Sequence, residues 1–267
     1  MIDRIADVFA ALRARSESAL VCYTVAGDPD AGRTVELVCR MAEAGADAIE
    51  LGVPYSDPVA DGPSIQAGAL RALAGGMTVG GVMRLVERIR KQSEVPIILM
   101  TYVNPSLRYG LARFADDASQ AGADAVIQTD LPPEESAEWL AAARSARLGT
   151  VYLAAPTSTE ARIAGVCASS SAFVYCVSRT GVTGTQHTTS SAAEGLVELV
   201  RRHTNLPVCV GFGISRPPHV REVSRYADGA VVGSALVEIM GANGADRALL
   251  DIVGSAVTAL KSGTRPA

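Results

Sequence analysis

The chain has 267 residues and a formal net charge of −4. This mildly acidic balance argues against a surface that binds nucleic acid or anionic membranes, and no apolar run approaches the roughly 20 residues that cross a membrane. The length suits one α/β domain that covers residues 1–267. The N-terminal stretch lacks the apolar core of a signal peptide, and the five cysteines show no ligand-like spacing. We therefore expect a cytoplasmic protein with reduced thiols and no metal site.

The predicted elements begin with an amphipathic helix, because Ile2, Ile5, Phe9 and Leu12 recur at helical spacing. Eight short apolar runs follow, and helix-compatible sequence succeeds each of them. The runs cover residues 19–25, 47–53, 96–102, 124–129, 149–154, 173–178, 207–212 and 228–233. The amphipathic stretches between them include 33–44, 78–92, 111–121, 134–146 and 190–203. Eight alternating strand–helix units in about 250 residues predict a single-domain (β/α)8 barrel with an extra N-terminal helix.

The stretch DAIELGVPYSDPVADGP at 47–63 carries the clearest chemical signal. Glu50 lies inside an apolar strand, where an unpaired carboxylate costs several kcal/mol, and this favours a functional role. Prolines and a glycine exclude a helix before about residue 63, so the loop displays Asp57 and Asp61. Structural alternatives stay open for both: Asp57 as a turn residue before Pro58, and Asp61 as the N-cap of the next helix.

The segment AGADAVIQTDLP at 121–132 resembles AGADAIELGVP at 44–54, which supports repeated strand–helix units. In a barrel of this kind the chemistry gathers where the strands end. The polar residues expected at that rim are Glu50, Asp61, Tyr102, Asn104 and Asp130.

The segment RTGVTGTQHTTSS at 179–191 follows the sixth predicted strand, which contains Tyr175. It is long for such a connection and poor in apolar residues. These features favour a mobile lid over a merely disordered surface loop.

Two glycine motifs, GFGIS at 211–215 and GSA at 233–235, end the last two predicted strands, where such barrels often hold a phosphate. Glycine lets backbone N–H groups approach an oxyanion, and the Ser234 hydroxyl adds a donor. The alternative is tight packing of the strand ends. Between phosphate and carboxylates, the strands supply a lining that suits a flat apolar ring. Its members, each of which could instead be barrel core, are Tyr23, Met100, Tyr102, Ile127, Leu153, Tyr175 and Phe212.

Six motifs, in order along nearly the whole chain, resemble the tryptophan synthase alpha subunit family. They are IELGVPYSDPVADGPSIQ (49–66), LMTYVNP (99–105), TDLPPEES (129–136), SRTGVTG (178–184), GFGIS (211–215) and DGAVVGSALV (228–237). The resemblance implies a TIM barrel that cleaves indole-3-glycerol phosphate to indole and glyceraldehyde 3-phosphate, a carbon–carbon lyase step of tryptophan biosynthesis. It also implies a beta subunit partner in an alpha2-beta2 complex. Pyridoxal phosphate would belong to that partner, with no cofactor in this chain.

The resemblance also assigns roles. Glu50 would be the general acid/base, and Asp61 would bind the indole N–H and stabilise the indolenine tautomer. The implied substrate pocket comprises Tyr23, Met100, Tyr102, Ile127, Thr129, Leu153, Tyr175, Thr183 and Phe212, with Thr183 closing the lid onto Asp61. The implied phosphate site comprises Gly184, Gly213, Gly233 and Ser234, and the implied partner surface includes Asp57, Pro58, Asn104 and Pro132.

Three positions depart from the family pattern. Cys22 stands where proline is usual, Thr129 stands where a small residue or proline precedes the DLPPEE run, and no arginine directly follows Gly184. These changes bear on lid closure and on the response to a beta subunit. Two alternatives therefore stay open: a stand-alone lyase that releases free indole, and a non-catalytic barrel that docks to and activates a beta subunit. Another phosphate-binding barrel, such as a sugar-phosphate isomerase, would lack the double-carboxylate loop at 47–63.

Overall fold

The computed structural model describes residues 3–177 and 191–265. Its strands agree with the predicted apolar runs to within one residue at each end. They are β1 (Ala19–Val25), β2 (Ala48–Gly52), β3 (Ile97–Thr101), β4 (Ala125–Gln128), β5 (Gly149–Ala154), β6 (Phe173–Val177), β7 (Val208–Gly211) and β8 (Gly229–Val232). Every neighbouring pair is parallel, and β8 pairs with β1, so the sheet closes in sequence order. The predicted (β/α)8 barrel is confirmed.

The helices surround this barrel. They are α1 (Arg4–Ala14), α2 (Ala31–Glu43), α3 (Pro63–Ala74), α4 (Val79–Arg90), α5 (Val103–Tyr109), α6 (Leu111–Ala121), α7 (Ala137–Ala146), α8 (Glu160–Ser169), α9 (Ser191–Arg201), α10 (Pro217–Val223), α11 (Ser234–Asn243) and α12 (Leu249–Lys261). The predicted 134–146 helix begins later than expected, because a separate 3-10 turn occupies Pro133–Glu135. Within the described ranges no single helix has the length and hydropathy of a membrane span, although the bent pair α3 and α4 together meets those two criteria.

Helix α1 closes the end of the barrel at which the strands begin. Its buried residues Ile5, Phe9 and Leu12 pack against inward-facing strand residues, and the Phe9 and Phe173 rings lie 6.3 Å apart. Ile2, the fourth predicted apolar position, lies outside the described residues. Burying each large apolar side chain contributes about 1.5–3 kcal/mol. The N-terminal helix is therefore part of the barrel core.

A second apolar layer lies between the outer faces of the strands and the surrounding helices. Cys22 belongs to this layer and is fully buried there. All five cysteines, each within the described ranges, are free thiols, as predicted. The departure from the family pattern at Cys22 thus lies on the outer side of the barrel wall, facing away from its interior.

The two similar segments at 44–54 and 121–132 share a structural role. In each, a helix ends at a glycine with positive φ, +111° at Gly45 and +99° at Gly122, which a side chain would strain. An aspartate follows two residues later in each segment. Its carboxylate accepts a backbone N–H bond at the start of the preceding strand in the barrel.

A third aspartate, not recognised in the sequence, repeats this arrangement. The three N–H bonds run from Leu20 to Asp47 (2.7 Å), from Ile97 to Asp124 (2.8 Å) and from Val208 to Asp228 (2.9 Å). Each carboxylate also pairs with a basic side chain, respectively Lys261 (2.5 Å), Arg90 (3.0 Å) and Arg201 (3.0 Å). Three ion-paired aspartates therefore hold the starts of β1, β3 and β7 at the end of the barrel that α1 closes.

We expect Asp124→Ala to destabilise the fold, because it leaves the half-buried Arg4 and Arg90 guanidiniums and the Ile97 N–H without this carboxylate. Removing one partner of a buried ion pair typically costs about 3–5 kcal/mol. Urea unfolding should show a loss of this order, with Asp116→Ala on the exposed face of α6 as the control. A loss in the free energy of unfolding no greater than that of the control would contradict this stabilising role of Asp124.

Candidate active site

Glu50 is a buried carboxyl inside the barrel. It lies on β2 with 2% of its surface exposed, and its Oε2 atom has no hydrogen-bond partner among the described residues. Burial, and secondarily the negative charge of Asp61, raises the pKa of Glu50 to about 8. The group therefore carries a proton at neutral pH and exchanges it within a physiological range, as a general acid/base must.

Two tyrosines share the barrel interior with Glu50. Tyr23 is its register partner on β1, and the Tyr175 ring extends from β6. The Tyr23 hydroxyl lies where a side chain at Gly52 would be, and the Tyr175 hydroxyl lies likewise at Gly211. Glycine at these two strand ends is therefore required for the phenols to reach their positions. These glycines frame the site, and the sequence analysis did not identify their role.

Asp61 lies in the loop between β2 and α3 and is half-buried. Burial raises its pKa, and a side-chain hydrogen bond from Tyr102 acts in the opposite direction. The capping interpretation of Asp61 is wrong, because Gly62 is the N-cap of α3 and no side chain caps that helix. Asp61 interacts with α3 through its backbone carbonyl, which accepts a 2.7 Å bond from the Gln66 side chain. Its carboxylate is thus available at the rim.

The aromatic residues at the rim occur as two contacting pairs. Tyr102 lies directly after β3, and its ring is 5.4 Å from that of Tyr55. Phe212 follows β7 and meets Tyr175 edge to face at 6.1 Å. The remaining predicted lining residues, Met100, Ile127 and Leu153, face the barrel interior on β3, β4 and β5.

The predicted phosphate residues lie at the ends of β7 and β8. Phe212 and Gly213 adopt consecutive positive φ values, +75° and +80°. For a bulky residue such a φ is a strained outlier, and outliers of this kind cluster at ligand sites. Gly233 is the N-cap of α11, which begins at Ser234. The N-terminal end of this ten-residue helix attracts an anion through its partial positive charge.

The residues predicted to face a partner lie on the segments that follow β2, β3 and β4 at this same end of the barrel, with Asn104 in the first turn of α5. Asp57 and Asn104 are exposed, and the Asn104 amide donates a 2.9 Å bond to the Tyr55 hydroxyl. Pro58 and Pro132 are half-buried. The predicted rim residue Asp130 accepts a bond from the Val103 N–H (2.7 Å), so it caps the start of α5.

Sequence reasoning missed three apolar residues in this region. Val59 and Leu107 are 78% and 51% exposed, next to the predicted partner surface. Ile65, in the first turn of α3, packs against the cluster that contains Tyr23 and Met100. The signal for Ile65 was its place directly after the carboxylate loop.

Thr183, Gly184 and the predicted lid at 179–191 lie outside the described residues, apart from Ser191 in the backbone of α9.

A cavity of about 740 Å³ opens at the opposite end of the barrel, between α1 and the starts of β4–β6. Three helices, α6, α7 and α8, direct their C-terminal ends towards it. Helix C-termini carry partial negative charge, and the cavity lining combines Asp3 and Asp124 with Arg4, Arg144 and Arg147. Both the carboxylates and the helix N-terminus that suits an anion lie at the other end, where the candidate active site is.

Comparisons with known proteins agree with this geometry. The family model for the tryptophan synthase alpha chain matches residues 9–261. The tryptophan synthase alpha chain of Citrifermentans bemidjiense is 50% identical, with 98% of each chain covered. A tryptophan synthase structure from Mycobacterium tuberculosis aligns with a TM-score of 0.91 at 39% identity, covering 99% of each chain. The alpha subunit structure from Legionella pneumophila gives 0.89 at 33% identity, again with 99% of each chain covered.

We expect Glu50→Gln to remove a pH-dependent destabilisation. In the unfolded chain this carboxyl titrates near its ordinary pKa of 4.5, whereas in the folded protein its pKa is about 8. Between these values the folded state holds the extra proton, so the free energy of unfolding of the parent falls as pH rises. At about 1.4 kcal/mol per pKa unit, the total is several kcal/mol.

Urea unfolding from pH 4 to pH 9 measures this effect. The stability of Glu50→Gln relative to the parent should increase from about pH 4.5 to about pH 8 and then stay constant. Glu36→Gln, on the exposed face of α2, is the matched control. A difference from the parent that does not vary with pH would contradict the buried, protonated state of Glu50.

Proposed function

The chain belongs to the tryptophan synthase alpha chain family, and on that premise we propose that it cleaves indole-3-glycerol phosphate to indole and glyceraldehyde 3-phosphate. The observation that supports this most strongly is the contrast between two neighbouring carboxyls. Glu50 is fully buried with a pKa of about 8, whereas Asp61 is only half-buried at the rim, where burial raises its pKa and a hydrogen bond from Tyr102 acts in the opposite direction. Environments that separate the pKa values of two carboxyls commonly mark an acid/base pair with distinct roles.

The cleavage is a retro-aldol reaction, which makes it a carbon–carbon lyase step. A proton is added to C3 of the indole ring, the bond from C3 to the glyceryl carbon breaks, and the adjacent hydroxyl loses its proton as the aldehyde forms. Protonated Glu50 donates to C3, and its carboxylate then accepts the hydroxyl proton. Such proton transfers contribute about 10²–10⁴ in rate.

Asp61 has a different role, since positive charge develops on the ring when C3 is protonated. An ionised Asp61 accepts the indole N–H bond and stabilises the indolenine. Tyr102 and Tyr175 flank the ring, while Tyr23, Met100, Ile127, Thr129, Leu153 and Phe212 complete its pocket. The phosphate binds the N–H groups near Gly213 and Gly233, the Ser234 hydroxyl and Gly184, and Thr183 closes the lid.

A beta subunit is the partner that this family membership implies. We propose that it binds the surface formed by Asp57, Pro58, Asn104 and Pro132 in an alpha2-beta2 complex. The exposed apolar side chains Val59 and Leu107 suit such an interface. Pyridoxal phosphate would be held by that partner, while the lyase half-reaction proceeds by proton transfer between carboxyls and substrate without a cofactor of this chain. A cytoplasmic location stays a prediction.

Indole release from indole-3-glycerol phosphate tests the proposal directly, measured on the purified chain with and without a tryptophan synthase beta subunit. We expect slow turnover alone that rises steeply with the partner. Fast turnover that ignores the partner would indicate a self-sufficient lyase instead. No turnover in either condition would leave a docking barrel and refute the proposed chemistry.

We expect Glu50→Gln to reduce kcat by about 10²–10⁴, because an amide cannot transfer a proton. Glu36→Gln serves as the control, as it does for stability. Circular dichroism should show an intact fold for both variants. A Glu50→Gln rate within tenfold of the parent would exclude this residue as the acid/base.

Asp61→Asn should reduce kcat by on the order of 10²–10³ while substrate binding, measured by calorimetry, is retained. The neutral amide keeps the shape of the side chain and loses the charge that stabilises the cationic ring. A normal rate would show that the carboxylate has no electrostatic role.

A further inference from the structure

Asp28 is a fully buried carboxylate in the connection between β1 and α2. It accepts two bonds from one guanidinium on α3, from Arg71 Nε to Oδ1 at 2.7 Å and from Arg71 Nη2 to Oδ2 at 2.8 Å. A two-point pair of this kind fixes both planar groups relative to each other. A buried carboxylate also requires a compensating charge, so Asp28 holds the Arg71 side chain in one orientation.

The backbone on either side of this carboxylate is fixed as well. The Asp28 N–H donates a 3.2 Å bond to the carbonyl of Val25, the last residue of β1. The N–H of Gly27 donates a 3.0 Å bond to the hydroxyl of Thr34, a buried residue of α2. The Asp28 carboxylate is therefore a fixed point relative to the barrel wall.

Two glycines allow the ion pair to lie between α3 and α11. A β-carbon at Gly68 in α3 would lie 2.9 Å from the Asp28 carboxylate and 3.0 Å from a Val237 methyl group. A β-carbon at Gly241 in α11 would lie 2.9 Å from the Arg71 guanidinium. These distances are shorter than the optimal contact of about 3.5–4.0 Å between carbon atoms. A side chain at either position would therefore press the two helices apart.

The contact between α3 and α11 follows one face of α3. Ser64, Gly68 and Arg71 are four and then three residues apart, which places them on the same side of a helix. Near the rim the Ser64 hydroxyl donates a 2.6 Å bond to the Glu238 carboxylate of α11. Two turns further along α3, the Arg71 guanidinium lies against Gly241. The pair of helices is thus held at both ends of the contact.

Both helices begin at the rim, beside groups of the candidate site. Helix α3 begins at Pro63, two residues after Asp61, and α11 begins at Ser234. We propose that Asp28 and Arg71 are positioning residues, whose ion pair holds α3 against α11 and thereby sets the distance from the Asp61 carboxylate to the start of α11. This inference rests on the proposed function, in which Asp61 binds the indole N–H and the start of α11 binds the phosphate.

Three probes separate such a positioning role from a general role in folding. Inorganic phosphate occupies only the α11 end of the site, and indole occupies only the Asp61 end. The spanning ligand, 3-(indol-3-yl)propyl phosphate, reaches both ends and lacks the hydroxyls that cleavage requires. Linking two binding groups raises affinity only where both can engage at once. The affinity for the spanning ligand therefore depends on the helix separation, whereas the affinities for its two parts do not.

Two variants change the helix contact while keeping the Asp28 charge compensated. Arg71→Lys retains the positive charge and loses the planar fork. Gly241→Ala retains the ion-pairing groups, places a methyl group against the guanidinium and raises the intrinsic helix propensity of α11. We expect each variant to weaken binding of the spanning ligand about tenfold and to leave binding of phosphate and of indole within about twofold of the parent.

The matched control is Gly195→Ala in α9, where a methyl group would meet no atom of the described residues within 4 Å. It should leave all three affinities, measured by NMR titration, unchanged. An unchanged affinity for the spanning ligand in either variant, or a loss shared equally by all three probes, would overturn the positioning role. So would a parent that binds the spanning ligand no more tightly than its parts.

Indole release by the parent distinguishes failure of this inference from failure of the proposed function. If the parent does not cleave indole-3-glycerol phosphate but both variants selectively weaken the spanning ligand, the positioning role stands and the proposed function fails. If the parent cleaves the substrate and the variants do not discriminate among the probes, the function stands and the positioning role fails.

Discussion

The burial of the Glu50 carboxyl is the constraint to which the rest of the structure is adapted. A carboxyl without a hydrogen-bond partner on Oε2, inside an apolar barrel, is stable at neutral pH only in its protonated form. Among the described residues, no hydrogen-bond donor contacts this oxygen. Instead, Tyr23 and Tyr175 fill the space beside it, and glycines at the strand ends admit their hydroxyls. Because these surroundings do not stabilise the carboxylate form, Glu50 stays protonated and can act as an acid.

The stabilising interactions that offset this lie at the opposite end of the barrel. There α1 closes the interior with three apolar side chains, and three aspartates bind strand starts and basic residues together. The geometry of the active site does not depend on these three aspartates, so each carboxylate can form all of its hydrogen bonds and ion pairs. Towards the other end, by contrast, Phe212 adopts a strained backbone conformation, and the Glu50 Oε2 atom has no hydrogen-bond partner among the described residues. Stability and chemistry are thus separated along the barrel axis, as is usual for this architecture.

The fold was predictable because the strands are short apolar runs between glycine, proline and polar residues, a pattern that depends on local sequence. Placing Glu50 at the site was also predictable, since a charge in such a run is anomalous by itself. The absence of a cap at Asp61 was not predictable, because Gly62 and Asp61 are both acceptable N-cap residues and only the three-dimensional path of the loop selects one. The Tyr23–Gly52 contact was equally hidden, since it crosses between strands separated by a helix.

The two carboxyls of the site lie in different environments at one end of the barrel. Glu50 faces phenols and aliphatic groups and receives no bond on one oxygen, so the neutral form is favoured. Asp61 is only partly buried at the rim; burial also raises its pKa, and a hydrogen bond from Tyr102 acts in the opposite direction. A phenol can donate or accept, so the Tyr102 bond favours the charged form of Asp61 only if other groups fix its direction. The Ala60 backbone N–H donates to the Tyr102 oxygen and so occupies one of its lone pairs. The proton affinity of each carboxyl therefore depends first on how deeply it is buried and then on the polar groups around it.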